Sequence, residues 1–131
     1  MDTAMLHDSM PLCETLGMRV RSASAECVEL EMDWSPTRCT TAGLLHGGAV
    51  MALADSAGGA CAFLNLPAGA GTSTIESKTN FLGAVKGGVV VASARPLHVG
   101  RTTIVVETEV RRADDDRLVA KVTQTQAVLQ R

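Results

Sequence analysis

A glycine pair and a lone acid in one short stretch of the chain have the types and spacing that chemistry needs. Residues 43–55 read GLLHGGAVMALAD. Gly47 and Gly48 stand where a loop enters a predicted helix. The first turn of a helix offers free N–H groups and a partial positive charge, which bind anions and polarise carbonyl oxygens. Glycines at this point let a ligand lie directly against the backbone.

Asp55 is the second feature, because it is a carboxylate in an otherwise apolar helical run. An unpaired charge in a core is costly, and Asp is a poor helix former. The structural alternative is an acid that a nearby hydroxyl or lysine caps, or one that lies on an exposed face. Since most of its neighbours are apolar, we favour a functional carboxylate over the structural one.

The distance between these two features predicts a shared site. Asp55 lies eight positions after Gly47, which is about 12 Å along a helix axis at a rise of about 1.5 Å per residue. One small reacting group cannot touch both ends of that span. If both ends act together, they come from two chains with antiparallel helices, which implies a two-fold homodimer with two equivalent sites.

A long helix over 47–64 is predicted to position these residues. Its apolar residues are consecutive and rich in Ala, without a polar stripe, which favours a buried helix over a strand. Gly58 and Gly59 lie in its interior, each at a cost of about 1 kcal/mol relative to Ala. That cost is tolerable where another backbone packs against them. Pro67 and Gly69 end the helix.

Apolar and polar residues alternate with a period of two over most of the remaining chain, which predicts strands. We expect a short helix over 11–16, two short strands within 18–33, and longer strands over 72–82, 88–99, 102–113 and 118–129, with turns at 87–88, 100–101 and 114–116. Short connections between the last four strands predict antiparallel neighbours. The predicted class is α+β, with one antiparallel sheet wrapped around one long buried helix.

The composition is that of a single folded domain spanning 1–131. Hydrophobic residues make up 46% of the chain and charged residues 20%, and the net charge is −2. Because there is no basic face and aromatic residues are only 2%, we expect no nucleic-acid partner. The apolar region over 42–71 contains polar interruptions and is built from Ala and Gly, so we expect no membrane span.

Cysteines, histidines and acids lack the spacing of metal sites. The four cysteines form no CxxC pair, the three histidines have no ligand spacing, and the acidic run at 114–116 is typical of a solvated turn. We therefore expect no metal. The first residues, MDTAMLHDSM, carry acid where a secretory signal carries base, so we expect a cytoplasmic protein with reduced thiols.

Other catalytic arrangements do not fit the chain. It contains no GxSxG, GxGxxG or phosphate-binding loop motif. Ser56 follows Asp55 directly, and neighbouring helix residues point about 100° apart. These two residues therefore do not form a triad with His46.

Three stretches together resemble a known family. Residues 44–55 (LLHGGAVMALAD), 73–82 (STIESKTNFL) and 97–110 (LHVGRTTIVVETEV) resemble the hotdog-fold acyl-CoA thioesterases. Within these, the chain is most similar to the phenylacetic-acid-pathway type and the related 4-hydroxybenzoyl-CoA thioesterase group, over roughly 37–128. The resemblance implies a hotdog fold and hydrolysis of an acyl-CoA thioester to free acid and CoA, with no metal or organic cofactor.

The resemblance implies catalytic roles at the positions that match the family's motifs. The Gly47 N–H polarises the thioester carbonyl as an oxyanion-hole donor, and His46 shapes the loop before it. Asp55 of the other subunit acts either as a nucleophile or as a general base on water. Thr74 matches a position that holds this water, with Ser73 beside it as the alternative.

Further positions are implied to bind the substrate. Thr40 stands beside the thioester, where relatives usually have Asn or Gln. Gly48 and Gly59 leave room against the helix, and Gly59 replaces a Thr of some relatives. Lys86 is a candidate contact for the phosphates of the substrate. The Gly-Ala pair at 83–84 stands where the family commonly has Arg-Pro, which removes a possible phosphate contact. The region that contacts the CoA nucleotide in relatives corresponds here to Arg101, Thr102 and Thr103.

We therefore predict a homo-oligomeric acyl-CoA thioesterase, at least a dimer and by resemblance a dimer of dimers. Its acyl group is aryl or medium-chain, and its carrier is CoA or acyl carrier protein. Hotdog hydratases pair an acid with a His commonly five positions later, where this chain has Ala60. A non-catalytic acyl-CoA-binding module is the alternative from another class, but a mere binder gains from an apolar residue in place of Asp55.

Overall fold

The computed structural model describes residues 1–130 as one antiparallel sheet against one long helix, so the predicted α+β class is confirmed. The strands are β1 (Arg19–Ala23), β2 (Val28–Asp33), β3 (Gly71–Phe81), β4 (Val89–Val99), β5 (Thr103–Arg112) and β6 (Leu118–Leu129). The helices are α1 (Thr3–Ser9), α2 (Pro11–Thr15) and α3 (Gly47–Phe63), and two 3-10 turns, Pro36–Arg38 and Thr41–Gly43, lie before α3.

Alternation of side chains determines which face of each strand meets the helix. In β2, Val28, Leu30 and Met32 are fully buried, while Glu29 and Glu31 between them are half-buried on the other face. The sheet order is β1-β2-β4-β5-β6-β3, and all neighbours are antiparallel. The apolar face of this sheet curves around α3 and forms the core with it.

One prediction about neighbouring strands is wrong, because β3 does not pair with β4. It pairs along its whole length with β6, and residues 82–88 carry the chain across the sheet. Backbone hydrogen bonds hold this crossing segment: Leu82 N–H donates to Val119 C=O at 2.7 Å, and Leu45 N–H donates to Val85 C=O at 2.9 Å. The glycines at 87–88 therefore precede β4 without forming a hairpin, whereas the predicted turns near 100–101 and 114–116 do connect hairpins.

Helix α3 is buried against the sheet but has one uncovered flank in the single chain. Its buried residues include Val50, Leu53, Ala54, Ala57, Gly58, Ala60 and Cys61. Met51 and Asp55, four positions apart and therefore on one side of the helix, are exposed. The sheet thus wraps around the helix as predicted and leaves open the side that carries the acid.

The two glycines inside α3 have different surroundings from those predicted. A Cβ on Gly58 would lie 2.1 Å from Gln124 Oε1, whereas a Cβ on Gly59 would meet nothing within 4 Å. Within this chain, another backbone therefore makes the nearest contact at neither position. A side chain from β6 makes the close approach, and it does so at Gly58 alone.

The N-terminal segment forms two helices where one was predicted. The predicted helix over 11–16 corresponds to α2, and α1 precedes it. The Asp2 side chain caps α1 by accepting a hydrogen bond from Met5 N–H at 2.9 Å, and Leu6 is fully buried. A short amphipathic turn of this kind gives a weak periodic signal, and its burial against the core stabilises it.

All four cysteines are unpaired thiols. Burial raises the pKa of the Cys13 thiol and raises that of Cys61 to about 11, so both stay protonated near neutral pH. Within residues 1–130, no helix is long and apolar enough to span a membrane. The same residues bring no three His, Cys, Asp or Glu side chains into a group that could hold a metal ion.

Candidate active site

Asp55 lies on the uncovered flank of α3, and the sheet holds its carboxylate by one oxygen. The Thr74 hydroxyl donates to Asp55 Oδ1 at 2.9 Å, and Gln124 Nε2 donates to the same oxygen at 3.0 Å. Both features of the structural alternative are thus present, a hydroxyl partner and an exposed face. Among the described residues Oδ2 has no hydrogen-bond partner, so one carboxylate oxygen is oriented and the other remains available for chemistry.

A β-bulge in β3 brings Thr74 to face Asp55. Thr74 pairs with Gln126 and Glu76 with Thr125, so Ile75 lies in the irregularity between them. Paired residues of antiparallel strands share a face of the sheet. The extra residue of a bulge changes which side chains point inward on either side of it. Thr74 therefore lies on the helix side together with the residues of β6 that the core buries.

A chain of polar side chains continues from Asp55 along the sheet. Gln126 Nε2 donates to Thr74 Oγ1 at 2.6 Å, and Thr72 Oγ1 lies 3.0 Å from Gln126 Oε1. Gln124 is fully buried and Gln126 is 1% exposed. These contacts restrict the hydroxyl of Thr74, which accepts a hydrogen bond from Gln126 and donates one to Asp55.

An apolar groove of about 780 Å³ opens beside Asp55, a volume in the range of small-molecule sites. Its walls come from α1, α3 and the start of β3, and include Met5, Met10, Asp55, Gly59, Phe63 and Thr74. We call it the first groove. Met5 and Phe63 are both 57% exposed, so large apolar surface lies next to a carboxylate.

The N-terminus of α3 has the geometry predicted for a carbonyl-polarising site. The helix begins at Gly47, and His46 is its N-cap residue, with Nδ1 accepting from Gly48 N–H at 2.7 Å. A Cβ on Gly48 would lie 2.9 Å from that nitrogen, so the cap requires glycine. Gly47 N–H meets no acceptor in the described part of the chain, and it is therefore the free donor of this turn.

A second groove of about 330 Å³ lies at this helix end. Its walls include Thr40, Leu44, Gly47, Val50, Phe81 and Ala84, and we call it the second groove. The Phe81 ring covers the glycine, since a Cβ on Gly47 would lie 3.0 Å from Phe81 Cζ. The structure thus brings Thr40 and Gly47 together, and it separates Gly47 from Asp55 by about half of the helix, roughly 12 Å along its axis.

The remaining predicted residues lie in three places. Ser73 precedes Thr74 in β3, so its side chain points to the opposite face and away from Asp55. Lys86 lies in a third groove of about 370 Å³ with Arg112 and Arg117. The residues Arg101, Thr102 and Thr103 form the β4–β5 turn and the start of β5, and Thr103 is in register with Ala127, the partner of Ser73.

Sequence reasoning missed Gln124 and Gln126. A signal was present, since both fall at the positions of β6 that continue the inward face of Ala120 and Val122. A polar residue at a strand position that alternation assigns to the buried face indicates a buried hydrogen-bonding group. The contact with Asp55 itself is not visible in the sequence, because it joins residues 69 positions apart.

Comparison with known proteins agrees with this fold. The sequence model of the Thioesterase superfamily matches residues 42–119, more than half of the chain. The Bacillus subtilis protein named "Putative esterase ComA2" is 35% identical over 122 residues, which cover 92% of this chain and 95% of that protein. The Mycobacterium tuberculosis protein named "Putative esterase Rv1847" is 29% identical over 124 residues, 90% of this chain and 86% of that one.

Solved structures are similar along almost the whole chain. A mutant of thioesterase PA1618 from Pseudomonas aeruginosa has a TM-score of 0.90 and 30% identity, covering 98% of this chain and 94% of that one. A thioesterase family protein from Silicibacter pomeroyi has the same TM-score and identity, with 97% and 95% covered. The chain belongs to the thioesterase superfamily and has its hotdog fold. This membership supports a hydrolase that cleaves thioesters.

Proposed function

We propose that this protein is an acyl-CoA thioesterase in which Asp55 drives attack on the thioester carbonyl. The observation that carries this proposal is the half-engaged carboxylate: Oδ1 is held by Thr74 and Gln124, and the group lines an apolar groove. A carboxylate fixed by one oxygen presents the other in a defined direction, which is what a base or a nucleophile requires.

Two balanced routes lead from this geometry to the products. As a general base, Asp55 takes a proton from water, the water oxygen bonds to the carbonyl carbon, and the carbon–sulfur bond breaks to release the thiolate. As a nucleophile, an Asp55 oxygen bonds to the carbonyl carbon, the carbon–sulfur bond breaks to release the thiolate, and water then cleaves the mixed anhydride to the free acid and the Asp55 carboxylate. In both, the Gly47 N–H stabilises negative charge on the carbonyl oxygen, and the leaving thiolate receives the remaining proton.

We further propose that each site combines Asp55 of one subunit with Gly47 of another. Both residues belong to the single helix α3 and are therefore about 12 Å apart along its axis. Strand β3 is an edge strand of the described sheet and exposes Ile75 at 60%. Pairing two β3 edges antiparallel covers this surface and brings the Gly47 end of one helix towards Asp55 of the other across a two-fold axis.

In the proposed complex the acyl group lies in the first groove, and the carrier extends past the second. An aryl ring and a medium-length alkyl chain are both compatible with walls of methionine, glycine and phenylalanine. Lys86 and the turn residues Arg101, Thr102 and Thr103 are the proposed contacts for the phosphates of CoA or of a carrier protein's pantetheine arm. Thr40 and Gly48 line the path of the thioester.

Free-thiol release from a panel of acyl-CoAs tests the proposal. The panel contains phenylacetyl, hydroxybenzoyl, and short, medium and long alkyl thioesters. We expect turnover of at least one member by the wild type and a loss of about 100- to 1,000-fold in kcat in Asp55→Asn, because the base is removed. Glu14→Gln, which removes an exposed carboxylate of α2, is the matched control and retains full activity.

The other outcomes each have a meaning. Equal turnover by folded Asp55→Asn and wild type would show that the carboxylate is not the reactive group. Binding of acyl-CoA without turnover of any CoA or carrier-protein thioester would favour a non-catalytic binding module. In a single turnover in water labelled with heavy oxygen, unlabelled acid together with label in Asp55 shows the nucleophile route, with water attacking the Asp55 carboxyl carbon of the anhydride, because the general-base route always places the label in the acid.

A further inference from the structure

Gln124 is a buried amide in the apolar face of the sheet. Its side chain is fully buried, whereas the carboxylate to which it donates is exposed. The inward residues before it on β6 are Ala120 and Val122, both fully buried. Among the described residues, Gln124 Oε1 has no hydrogen-bond partner. Half of this amide is thus satisfied by Asp55, and the other half is not satisfied at all.

A half-satisfied amide is energetically unfavourable at a core position. Burying a polar atom without a partner opposes folding, while an apolar side chain of similar size would avoid the penalty. The contact that the amide does make is with Asp55 Oδ1 at 3.0 Å. Its position is therefore better explained by what it does to Asp55 than by what it contributes to the core.

Gly58 on α3 makes the contact possible. A Cβ at this position would lie 2.1 Å from Gln124 Oε1 and 2.4 Å from Cδ. Even alanine would displace the amide or the helix, because contacts this short do not occur between real atoms. A glycine in the middle of a helix costs about 1 kcal/mol relative to alanine, and here it creates the space in which the amide reaches Asp55.

We propose that Gln124 is a positioning residue for the reaction, and that Gly58 provides the space that it needs. Gln124 and Thr74 together fix Asp55 Oδ1 and so aim Oδ2 at the substrate. Thr74 approaches from the edge strand β3, and Gln124 approaches from β6 beneath the helix. Two donors from different strands define the carboxylate plane, which one donor alone does not. This inference rests on the proposed thioesterase function.

The first test replaces the amide with a side chain of similar length, Gln124→Met. We expect kcat to fall about tenfold or more with KM within about twofold of the wild type, because a misaimed carboxylate slows the chemical step and leaves binding intact. The control is Thr108→Val, which changes another fully buried polar residue of the sheet, one whose hydroxyl has no partner in residues 1–130. It leaves kcat and KM unchanged.

The second test reaches the same amide from the helix. In Gly58→Ala the new Cβ displaces Gln124, so we expect the same fall in kcat at constant KM, although alanine is the better helix former. Unchanged kcat in both folded variants overturns the inference. A fall in kcat that Thr108→Val shares also overturns it, because the effect would then follow from the packing of the core.

A third measurement does not depend on turnover. Denaturation midpoints of Gln124→Met, Asp55→Ala and the double variant form a cycle that reports whether the two side chains interact. We expect the double variant to be more stable than the sum of the two single changes predicts, whatever the sign of each change, because the contact between the two side chains is lost only once. Additive losses overturn the inference. If the wild type hydrolyses no thioester, the proposed function fails, while the cycle still decides whether Gln124 holds Asp55.

Discussion

The two grooves at opposite ends of α3 supply different kinds of chemistry. The first groove offers a carboxylate, held by side chains of β3 and β6 and flanked by methionines. The second offers a backbone N–H at the helix start, with Phe81 over Gly47 and Thr40 nearby. In the proposed mechanism the first groove activates the nucleophile and the second stabilises the oxyanion.

The two features differ in which parts of the chain create them. A free N–H at a helix start is a property of any helix, and the chain needs only a glycine and a cap to expose it. An oriented carboxylate depends on partners from distant strands. The proposed two-fold assembly joins the two halves of the site.

The largest expected effect comes from mixing two inactive chains. Asp55→Ala disables the first groove, and Gly47→Val blocks the second, since a Cβ there already meets Phe81 at 3.0 Å. If each site takes one groove from each subunit, heterodimers have one intact site. Random mixing then restores about a quarter of wild-type activity, measured as free-thiol release after co-refolding.

Two controls make this mixing experiment decisive. Each variant refolded alone remains inactive, and tagged purification verifies that heterodimers have formed. Verified heterodimers without recovered activity would show that both halves of a site come from one chain, and the comparison of the two grooves would lose its meaning.

Removal of one hydroxyl from each groove sharpens the comparison. Thr74→Val deletes the donor to Asp55 Oδ1 at 2.9 Å, and we expect kcat to fall about tenfold, since an aiming contact is lost. Thr40→Val deletes a hydroxyl beside the helix N-terminus, where the Gly47 N–H still remains, so we expect a smaller loss. Steady-state kinetics on one thioester compare the two, and a larger effect at Thr40 would reverse the assigned roles.

The smallest effect concerns the apolar wall of the first groove. Met5→Ala removes part of the surface on which the proposed acyl group lies, and kcat/KM for a medium-chain thioester falls about threefold to tenfold relative to a short-chain one. Leu12→Ala is the matched control, because Leu12 on α2 is also 57% exposed and does not line the groove. Equal effects of the two substitutions would place the acyl group elsewhere.

Much of the fold followed from local patterns. The apolar run over 47–64 predicted α3 within one residue of its observed end. Alternation of apolar and polar residues predicted the strands, because burial of one face of a strand requires an apolar residue at every second position. The pairing of β3 with β6 did not follow. The segment after β3 contains glycines that equally suit a hairpin, and the choice of partner depends on how the sheet closes around the helix.

The candidate site divides in the same way. Gly47 and Asp55 were singled out from their types and spacing, because a helix start and an acid in an apolar run are both local features, whereas His46 was implied by the family resemblance. Gln124 and Gln126 were missed, since their importance lies in contacts across the sheet. The bulge at Ile75 could not be predicted either, because it becomes apparent only from the register between β3 and β6.

By itself, the sequence determined that this chain is an α+β protein with a glycine-rich helix start and a lone acid eight residues later on the same helix. These properties depend on neighbours within a few turns. Only the tertiary structure decided which carboxylate oxygen is held, that a buried glutamine holds it, and that the acid and the helix start open into separate grooves. Those outcomes depend on strand register and on the closure of the sheet around α3, which join residues far apart in the chain.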